Sequence, residues 1–119
     1  MKREILFKGK SKSTGEWFFG NLFDKDTSGK THIGTTTKGC FDVDPETVGQ
    51  FTGMTDKNGK RIFEGDIYSM GDKNILYVVI FDKSQFIGKQ VKSRSLAGLE
   101  YWKSDIEIVG NIYDNPELL

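Results

Sequence analysis

The sequence predicts a mostly β protein, and its composition is the first reason. Ala97 is the only alanine among 119 residues, whereas the chain contains ten isoleucines, nine threonines and nine phenylalanines. Alanine is the best helix former, and β-branched and aromatic side chains suit the half-buried surface of a sheet. Fourteen glycines supply turns at short intervals. We therefore expect a single domain over residues 1–119, a bent, barrel-like antiparallel sheet with minimal helix.

Apolar alternation predicts the first two strands. Residues 2–8 alternate loosely, and the polar residues 9–15 form a loop before a second strand over residues 16–23. Side chains two apart on a strand share a face. Trp17, Phe19 and Phe23 therefore lie together, and the second strand is central or meets a partner on one face.

The middle of the chain contains weaker signals. Residues 32–37 are rich in threonine and predict a strand at a sheet edge, and residues 40–43 alternate again. Asp44 followed by Pro45 is typical of a helix start, because aspartate caps free backbone N–H groups and proline fits the first helical position. We expect at most one turn of helix there.

An Asn-Gly pair marks the clearest hairpin. Asn58 and Gly59 lie between the apolar runs 51–55 and 61–64. A type I′ turn needs positive φ at both central residues, which asparagine and glycine adopt most readily. Asp56 begins this turn by accepting a backbone N–H with its carboxylate.

A second turn signal follows directly. Gly65 predicts a bend into the next strand, with Glu64 and Asp66 on either side. Two carboxylates at this spacing share a face on a regular strand and could form a metal or acid–base pair, or they cap the turn and keep an edge soluble. A metal site needs further ligands, and His32 and Cys40 show no recognisable ligand spacing. The structural interpretation is favoured.

The C-terminal third predicts four more strands. Residues 75–81 are continuously apolar and predict a strand buried on both faces. Weaker patterns follow at residues 84–93 and 99–102, and a last strand at 106–113. Residues 114–119 predict a turn or a fragment of helix.

Charge and cysteine content exclude several classes. Seventeen basic and seventeen acidic residues cancel, so no global field draws the chain to nucleic acid or to an anionic membrane. One cysteine allows no intrachain disulfide. The N-terminal residues contain no apolar h-region of a signal peptide, and the longest apolar run, 75–81, is too short to span a membrane. We expect a cytoplasmic protein without membrane contact.

No catalytic pattern is present. His32 is the only histidine, and no nucleophile motif accompanies it. The glycines form no phosphate-binding loop, so no cofactor is expected. A carboxylate-based metal-dependent enzyme is the least favoured of the functions considered.

Two kinds of partner remain open beside an unidentified protein. Local basic groups adjoin aromatic residues, a combination that can bind single-stranded nucleic acid; they are Lys2, Arg3, Lys8, Lys10 and Lys12, and then Lys83, Lys89, Lys92 and Arg94. Self-association is the other alternative, because the aromatic run at 17–23 exceeds what one small core needs.

Three ordered blocks carry a family resemblance. They are ILFKGK at 5–10 leading to WFFG at 17–20, PETVGQFTG at 45–53 continuing through Asp56, Asn58 and Gly59 to IFEGDI at 62–67, and IVGNIYDNPEL at 108–118. In these blocks the chain resembles the YopX family of phage and prophage proteins. Lys8 stands where arginine is expected and Met54 where leucine is usual, and neither change unsettles the match.

The resemblance implies a β-rich fold and a phage or prophage origin, and it brings no established activity, substrate or cofactor. The step into residues 64–66 also resembles the start of an SH3-like barrel segment, by analogy alone. Seven motif residues form the candidate binding or structural site: Gln50, Thr52, Asp56, Glu64, Gly65, Asp66 and Asn111. The favoured function is a non-catalytic protein-interaction module in the bacterial host cytoplasm, and the alternative is a nucleic-acid-binding accessory protein.

Overall fold

The computed structural model describes residues 4–23, 27–35 and 39–119. Strands account for 49% of the described residues and helices for 9%, and the strands pair antiparallel in two sheets. The mostly β prediction with little helix is therefore confirmed. Contacts between residues group the chain into two units, Met1–Phe51 and Thr52–Leu119. The prediction that the chain forms one domain stays a prediction.

Within its described residues, the first unit contains four strands and the start of a fifth. They are β1 (Phe7–Lys10), β2 (Trp17–Phe23), β3 (His32–Thr35), β4 (Gly39–Asp42) and the first residues of β5 (Gly49–Thr55). Their order in the sheet is β4-β3-β2-β1-β5. A 3-10 helix at Pro45–Thr47 precedes β5, and Asp44 Oδ1 accepts the Glu46 N–H at 3.0 Å. The predicted capped turn of helix is confirmed.

Two strand predictions in this unit were wrong in detail. Of the first predicted strand, residues 4–6 are not in β1, which begins at Phe7 and pairs Phe7 with Gly20 and Lys10 with Trp17 of β2. Residues 2 and 3 of that prediction lie outside the described residues. The strand at 32–35 is not an edge strand, because it pairs with β2 on one side and with β4 on the other. Residues 36 and 37 of that prediction lie outside the described residues.

The core of the first unit lies under the even-numbered face of β2. Ile33 has no exposed surface, and Val43 is 4% exposed. The rings of Phe18 and Phe41 stack with their centroids 4.1 Å apart. The alternation within β2 therefore directs Phe18 into this core and places Trp17 on the opposite face of the sheet.

The second unit begins within β5 and contains a five-stranded sheet. Its further elements are β6 (Arg61–Phe63), β7 (Asp66–Ser69), β8 (Leu76–Asp82), β9 (Gln85–Gln90), β10 (Leu96–Gly98), α1 (Leu99–Trp102) and β11 (Glu107–Asn111). The sheet order is β10-β9-β8-β7-β11. A 3-10 helix at Pro116–Leu118 confirms the predicted helical fragment near the end. Neither strand order closes into a ring, so the barrel-like description applies only loosely.

The core of the second unit is one cluster of apolar side chains with almost no exposed surface. Its members are Ile62, Tyr68, Val79, Leu99 and Ile106. They come from β6, β7, β8, α1 and the residue before β11, so one cluster joins most elements of the unit. Burial of each of the aliphatic side chains in this cluster contributes about 1.5–3 kcal/mol.

The Asn58-Gly59 hairpin forms, but the predicted type I′ turn is wrong. Gly59 has φ +81°, whereas Asn58 is not among the described residues with positive φ. Asp56 O accepts the Gly59 N–H at 3.0 Å, and the Asp56 N–H donates to Lys60 O at 2.7 Å. This pattern is typical of a longer hairpin loop, in which an ordinary turn is followed by one residue in the left-handed region, here Gly59.

Two further expectations in this unit are corrected. Within β8 only Val79 is fully buried, and Phe81 is 54% exposed, so this strand is not buried on both faces. Residues 99–102 form one turn of helix rather than a strand. Aromatic preference for strands depends on neighbours in a sheet, and here Tyr101 contacts Trp102 instead, with ring centroids 4.8 Å apart.

The last strand is shorter than predicted. It ends at Asn111, with an irregularity between Ile108 and Gly110, and Ile112 and Tyr113 lie in the following turn. In the part of the chain that the structure describes, no helix combines the length and apolar character needed to cross a bilayer.

Candidate functional site

Asp56 joins its own hairpin loop to β11 through its carboxylate. Its Oδ1 accepts the N–H groups of Asn58 and Lys60, both at 2.9 Å, and its Oδ2 accepts the Ile108 N–H at 3.1 Å. Burial acts to raise the pKa of Asp56, but these backbone bonds and the Lys60 charge outweigh it, and the pKa lies below its ordinary value. The predicted role of Asp56 at the start of the turn is confirmed, and its bond to β11 is additional.

Asp66 holds the turn that precedes it. The side chain is 4% exposed, and its Oδ2 accepts the Phe63 N–H at 2.8 Å across the Glu64-Gly65 turn. Glu64 is half-buried on this turn. Because the turn interrupts the strand, the two-residue period that would place Glu64 and Asp66 on one face does not apply.

Gly65 forms the predicted bend. Its φ is +92°, a conformation that side-chain-bearing residues rarely adopt. The Gly65 N–H donates to Val79 O at 2.8 Å, and Gly65 O accepts the Ile112 N–H at 3.0 Å. The bend is therefore bonded to β8 on one side and to the turn after β11 on the other.

Asn111 caps the turn after β11. Its Oδ1 accepts the N–H groups of Tyr113 and Asp114 at 3.0 and 2.9 Å, and its Nδ2 donates to Asp114 Oδ2 at 3.1 Å. Asn111 is also the cross-strand partner of Asp66 in the β11–β7 pair. The structure thus brings these two motif residues together.

Thr52 and Gln50 have different surroundings. Thr52 Oγ1 donates to Ile62 O at 2.8 Å and accepts the Met54 N–H at 3.2 Å. Gln50 belongs to the first unit, where it is half-buried in β5 opposite Phe7. Four of the seven motif side chains, on Thr52, Asp56, Asp66 and Asn111, therefore bond to backbone groups of the second unit.

Two of the three motif carboxylates, those of Asp56 and Asp66, accept backbone N–H groups. Both oxygens of Asp56 accept N–H groups, and Asp66 is almost fully buried. Among residues 4–23, 27–35 and 39–119, no three or more His, Cys, Asp or Glu side chains form a group that could hold a metal ion. The Asp56 and Asp66 carboxylates therefore provide acceptors for buried backbone N–H groups, which would destabilise the fold if they had none.

A different surface presents aromatic rings to solvent. On the odd-numbered face of β2, Phe19 is 47% and Phe23 is 51% exposed, and Trp17 is half-buried. The two-residue period predicted this shared face. We call Trp17, Phe19 and Phe23 the aromatic face of β2.

Two lysines of β1 adjoin this face. Lys8 is the cross-strand partner of Phe19, and Lys10 that of Trp17. The Lys8 ammonium lies 4.6 Å from the centre of the Trp17 ring, and Lys8 is only 7% exposed. A cation over an indole ring is attracted by the electron-rich ring face, so this contact holds Trp17 in place.

The family model described as YopX protein matches residues 4–119. The chain belongs to the YopX family. A solved structure, that of protein EF1440 from Enterococcus faecalis, is similar to this chain with a TM-score of 0.63 and 20% identity, covering 99% of each chain. At that identity the similarity shows the fold alone. No curated protein matches.

In this YopX chain, the blocks that predicted the family largely coincide with turns and caps. The middle block contains Asp56, Gly65 and Asp66, and the last block contains Asn111, each bonded to backbone as described above. The first block contributes Trp17 to the aromatic face.

Sequence reasoning missed two capping residues. Asn115 Oδ1 accepts the Asn111 N–H at 3.2 Å, and Thr47 Oγ1 accepts the Lys10 N–H at 2.8 Å while donating to Asp44 O. The Asn-Pro pair at 115–116 is a recognised turn signal that could have identified Asn115. Thr47 carries no such signal, because its bond reaches a residue 37 positions away.

Proposed function

We propose that this YopX protein is a non-catalytic interaction module, encoded by a phage or prophage, that binds a protein partner in the bacterial cytoplasm. The observation that carries the proposal is the exposure of Phe19 and Phe23 on the aromatic face of β2. Exposed apolar patches mark interaction sites, and aromatic side chains are enriched in the buried centres of protein interfaces. The family resemblance supports the phage or prophage origin.

The charge around the aromatic face favours an apolar protein surface over nucleic acid. Lys8 is 7% exposed, with its ammonium over Trp17, so little of its charge is available to phosphate. The whole chain has a formal net charge of zero. Nucleic-acid-binding domains usually show a clear basic surface, because phosphate neutralisation supplies most of their affinity.

The motif residues support a role without catalysis. A general acid or base must reach the substrate with a free oxygen or nitrogen. The carboxylate of Asp56 instead accepts three backbone N–H groups, and the Asp66 carboxylate accepts that of Phe63 within the buried turn. We therefore assign these side chains to holding the backbone of the second unit.

Site-specific photo-crosslinking tests the proposed surface. A photoreactive phenylalanine analogue replaces Phe23 in cells, and the matched control carries it at Phe81, an equally exposed phenylalanine of the second unit (51% and 54%). The partner crosslinked from position 23 is then purified. We expect Phe19→Ser to weaken its binding at least about tenfold, because truncating an anchor ring at an interface centre costs 2 kcal/mol or more, and Phe81→Ser to leave it unchanged.

Three outcomes contradict the proposal. Equal loss of affinity in both serine variants would remove the aromatic face as the binding surface. Salt-sensitive binding of single-stranded DNA that Phe19→Ser abolishes would replace the protein partner with nucleic acid. A concentration-dependent dimer in light scattering, lost in Phe19→Ser, would make a second copy of the chain the occupant.

A further inference from the structure

The first unit contains a cavity that the interaction surface does not use. Its volume is about 380 Å³, and its polar lining comes from Ser11, Lys12, Ser13, Lys30, Thr31 and Asp42. These residues belong to the loop after β1, to the segment entering β3 and to β4. Binding sites for small molecules commonly have volumes of about 300–1,000 Å³. The cavity is therefore large enough for a compact ligand.

Two ammonium groups give the cavity a positive side. Lys12 is exposed and has no ion-pair partner among the described residues. Lys30 Nζ lies 3.7 Å from Asp42 Oδ2, and both side chains are more than half exposed. An exposed ion pair of this length contributes little free energy.

Hydroxyl groups stand beside these charges. Ser11 is 8% and Thr31 is 4% exposed, and Ser11 Oγ lies 3.1 Å from Ser13 Oγ. The Thr14 N–H donates to Ser11 Oγ at 3.3 Å, which fixes the position of that oxygen. A serine hydroxyl can rotate its hydrogen toward an oxyanion, so the pair can contribute donors to a bound phosphate.

The remainder of the lining is apolar and comes from Val43 and Pro45. Val43 is 4% exposed, so this side of the cavity is fixed by the core of the unit. A ligand that satisfies both sides carries an anionic group at Lys12 and the serines and an apolar ring or chain against Val43. The carboxylate of Asp42 disfavours a second anionic group on the ligand.

We propose that this cavity binds a small phosphomonoester, with its phosphate at Lys12, Ser13 and Lys30 and its organic part against Val43 and Pro45. The phosphate carries a charge of about −1.5 to −2 at neutral pH and three strong acceptor oxygens, which match two ammonium groups and neighbouring hydroxyls. This site does not depend on the proposed protein partner.

Titration of the full chain, followed by amide NMR shifts, tests the site. The probe is phenyl phosphate. Inorganic phosphate, which carries only the anionic group, and phenol, which carries only the ring, are the comparison ligands. We expect saturable shifts at residues 11–13, 30 and 31 with a Kd of about 1 mM for phenyl phosphate, weaker binding of inorganic phosphate, and none of phenol. Lys12→Gln should raise the Kd at least about fivefold, and Lys30→Gln should weaken binding similarly.

Lys73→Gln, in a turn of the second unit, is the matched control and should not change the Kd. The spectra also report whether each variant is folded. Shifts that map elsewhere, an equal effect of Lys12→Gln and Lys73→Gln, or no saturable shift with phenyl phosphate would each overturn the proposal. Equally strong binding of phenol would overturn the assignment of a phosphate site.

Discussion

Asp56 makes the stability of the second unit depend on pH. Its carboxylate accepts three backbone N–H groups, and its pKa lies below the ordinary value although burial acts in the opposite direction. A lowered pKa in the folded state means that ionised Asp56 stabilises the fold at any pH above its unfolded pKa, about 3.9. This stabilisation is lost as the pH falls from there through the folded pKa.

We expect Asp56→Asn to flatten the acid limb of the stability curve. The free energy of unfolding of the wild type should fall between about pH 5 and pH 2, and the variant should lose less over that range because asparagine does not ionise. Urea unfolding at several pH values measures both. Asp72→Asn is the control, because Asp72 accepts a single exposed N–H from Asn74. Parallel curves for wild type and Asp56→Asn would contradict this role.

The hydroxyl of Tyr68 is a buried group without a hydrogen-bond partner among the described residues. Burial, and to a smaller extent Tyr77, raises the pKa of Tyr68, so the ring stays neutral. Removing the hydroxyl removes an unpaired buried polar group, and we expect Tyr68→Phe to raise the free energy of unfolding by about 1 kcal/mol. Chemical denaturation measures the change. A loss of 1 kcal/mol or more would show that the hydroxyl has a partner.

The same hydroxyl explains Gly88. A Cβ atom at position 88 would overlap the Tyr68 hydroxyl and lie 2.7 Å from Cζ of its ring. Gly88→Ala should therefore destabilise the chain by about 3 kcal/mol as an overpacked core substitution, and Tyr68→Phe in the same chain should restore part of the loss. If Tyr68→Phe restores none of the stability that Gly88→Ala removes, the clash is with a group other than the Tyr68 hydroxyl.

The turns of this chain show which structural features a sequence pattern predicts and which it does not. Asn58-Gly59 predicted a hairpin correctly and its turn type incorrectly, because the Asp56 carboxylate stabilises a longer loop. The tight two-residue turn occurs instead at Lys83-Ser84, with φ of +49° and +66° between the paired residues Asp82 and Gln85. Lysine and serine give no signal for it, since neither prefers this conformation.

Replacing Lys83-Ser84 by Asn-Gly should stabilise the β8–β9 hairpin. Each ordinary residue in the left-handed region costs about 1 kcal/mol or more, so we expect the double variant to gain about 1–2 kcal/mol in free energy of unfolding. The control is Lys73→Asn with Asn74→Gly, where neither residue has positive φ and no gain is expected. Equal gains at both turns would contradict the assigned strain.

The helix α1 shows a second limit of sequence patterns. Leu99 is 1% exposed and belongs to the core cluster, whereas Tyr101 is 81% exposed. Alternation of apolar residues over 99–102 predicted a strand, but no sheet neighbour covers Tyr101, and one buried leucine suffices to anchor a single helical turn. Short apolar runs do not distinguish these outcomes without knowledge of the surrounding core.

The fold class of the whole molecule was predictable from composition, because the scarcity of alanine and the abundance of β-branched and aromatic residues favour strands over helices throughout the chain. The motif residues could be selected from sequence as turn formers, but their partners could not. The bond from Asp56 to Ile108 spans 52 positions, and the pairing of Asp66 with Asn111 depends on the register of two distant strands. The aromatic face was predictable from periodicity within β2, whereas the cavity beside Lys12 depends on three separate segments.

We propose that the polar motif stabilises the fold, while the solvent-exposed rings of Phe19 and Phe23 on the aromatic face provide the binding surface. Urea unfolding of Asp66→Ala, Phe19→Ser and the exposed control Asp72→Ala tests it most directly. We predict a loss of about 2–3 kcal/mol for Asp66→Ala, because the buried Phe63 N–H loses its charged acceptor, and changes within about 1 kcal/mol for the other two. A stable Asp66→Ala protein together with an unfolded Phe19→Ser protein would contradict the account.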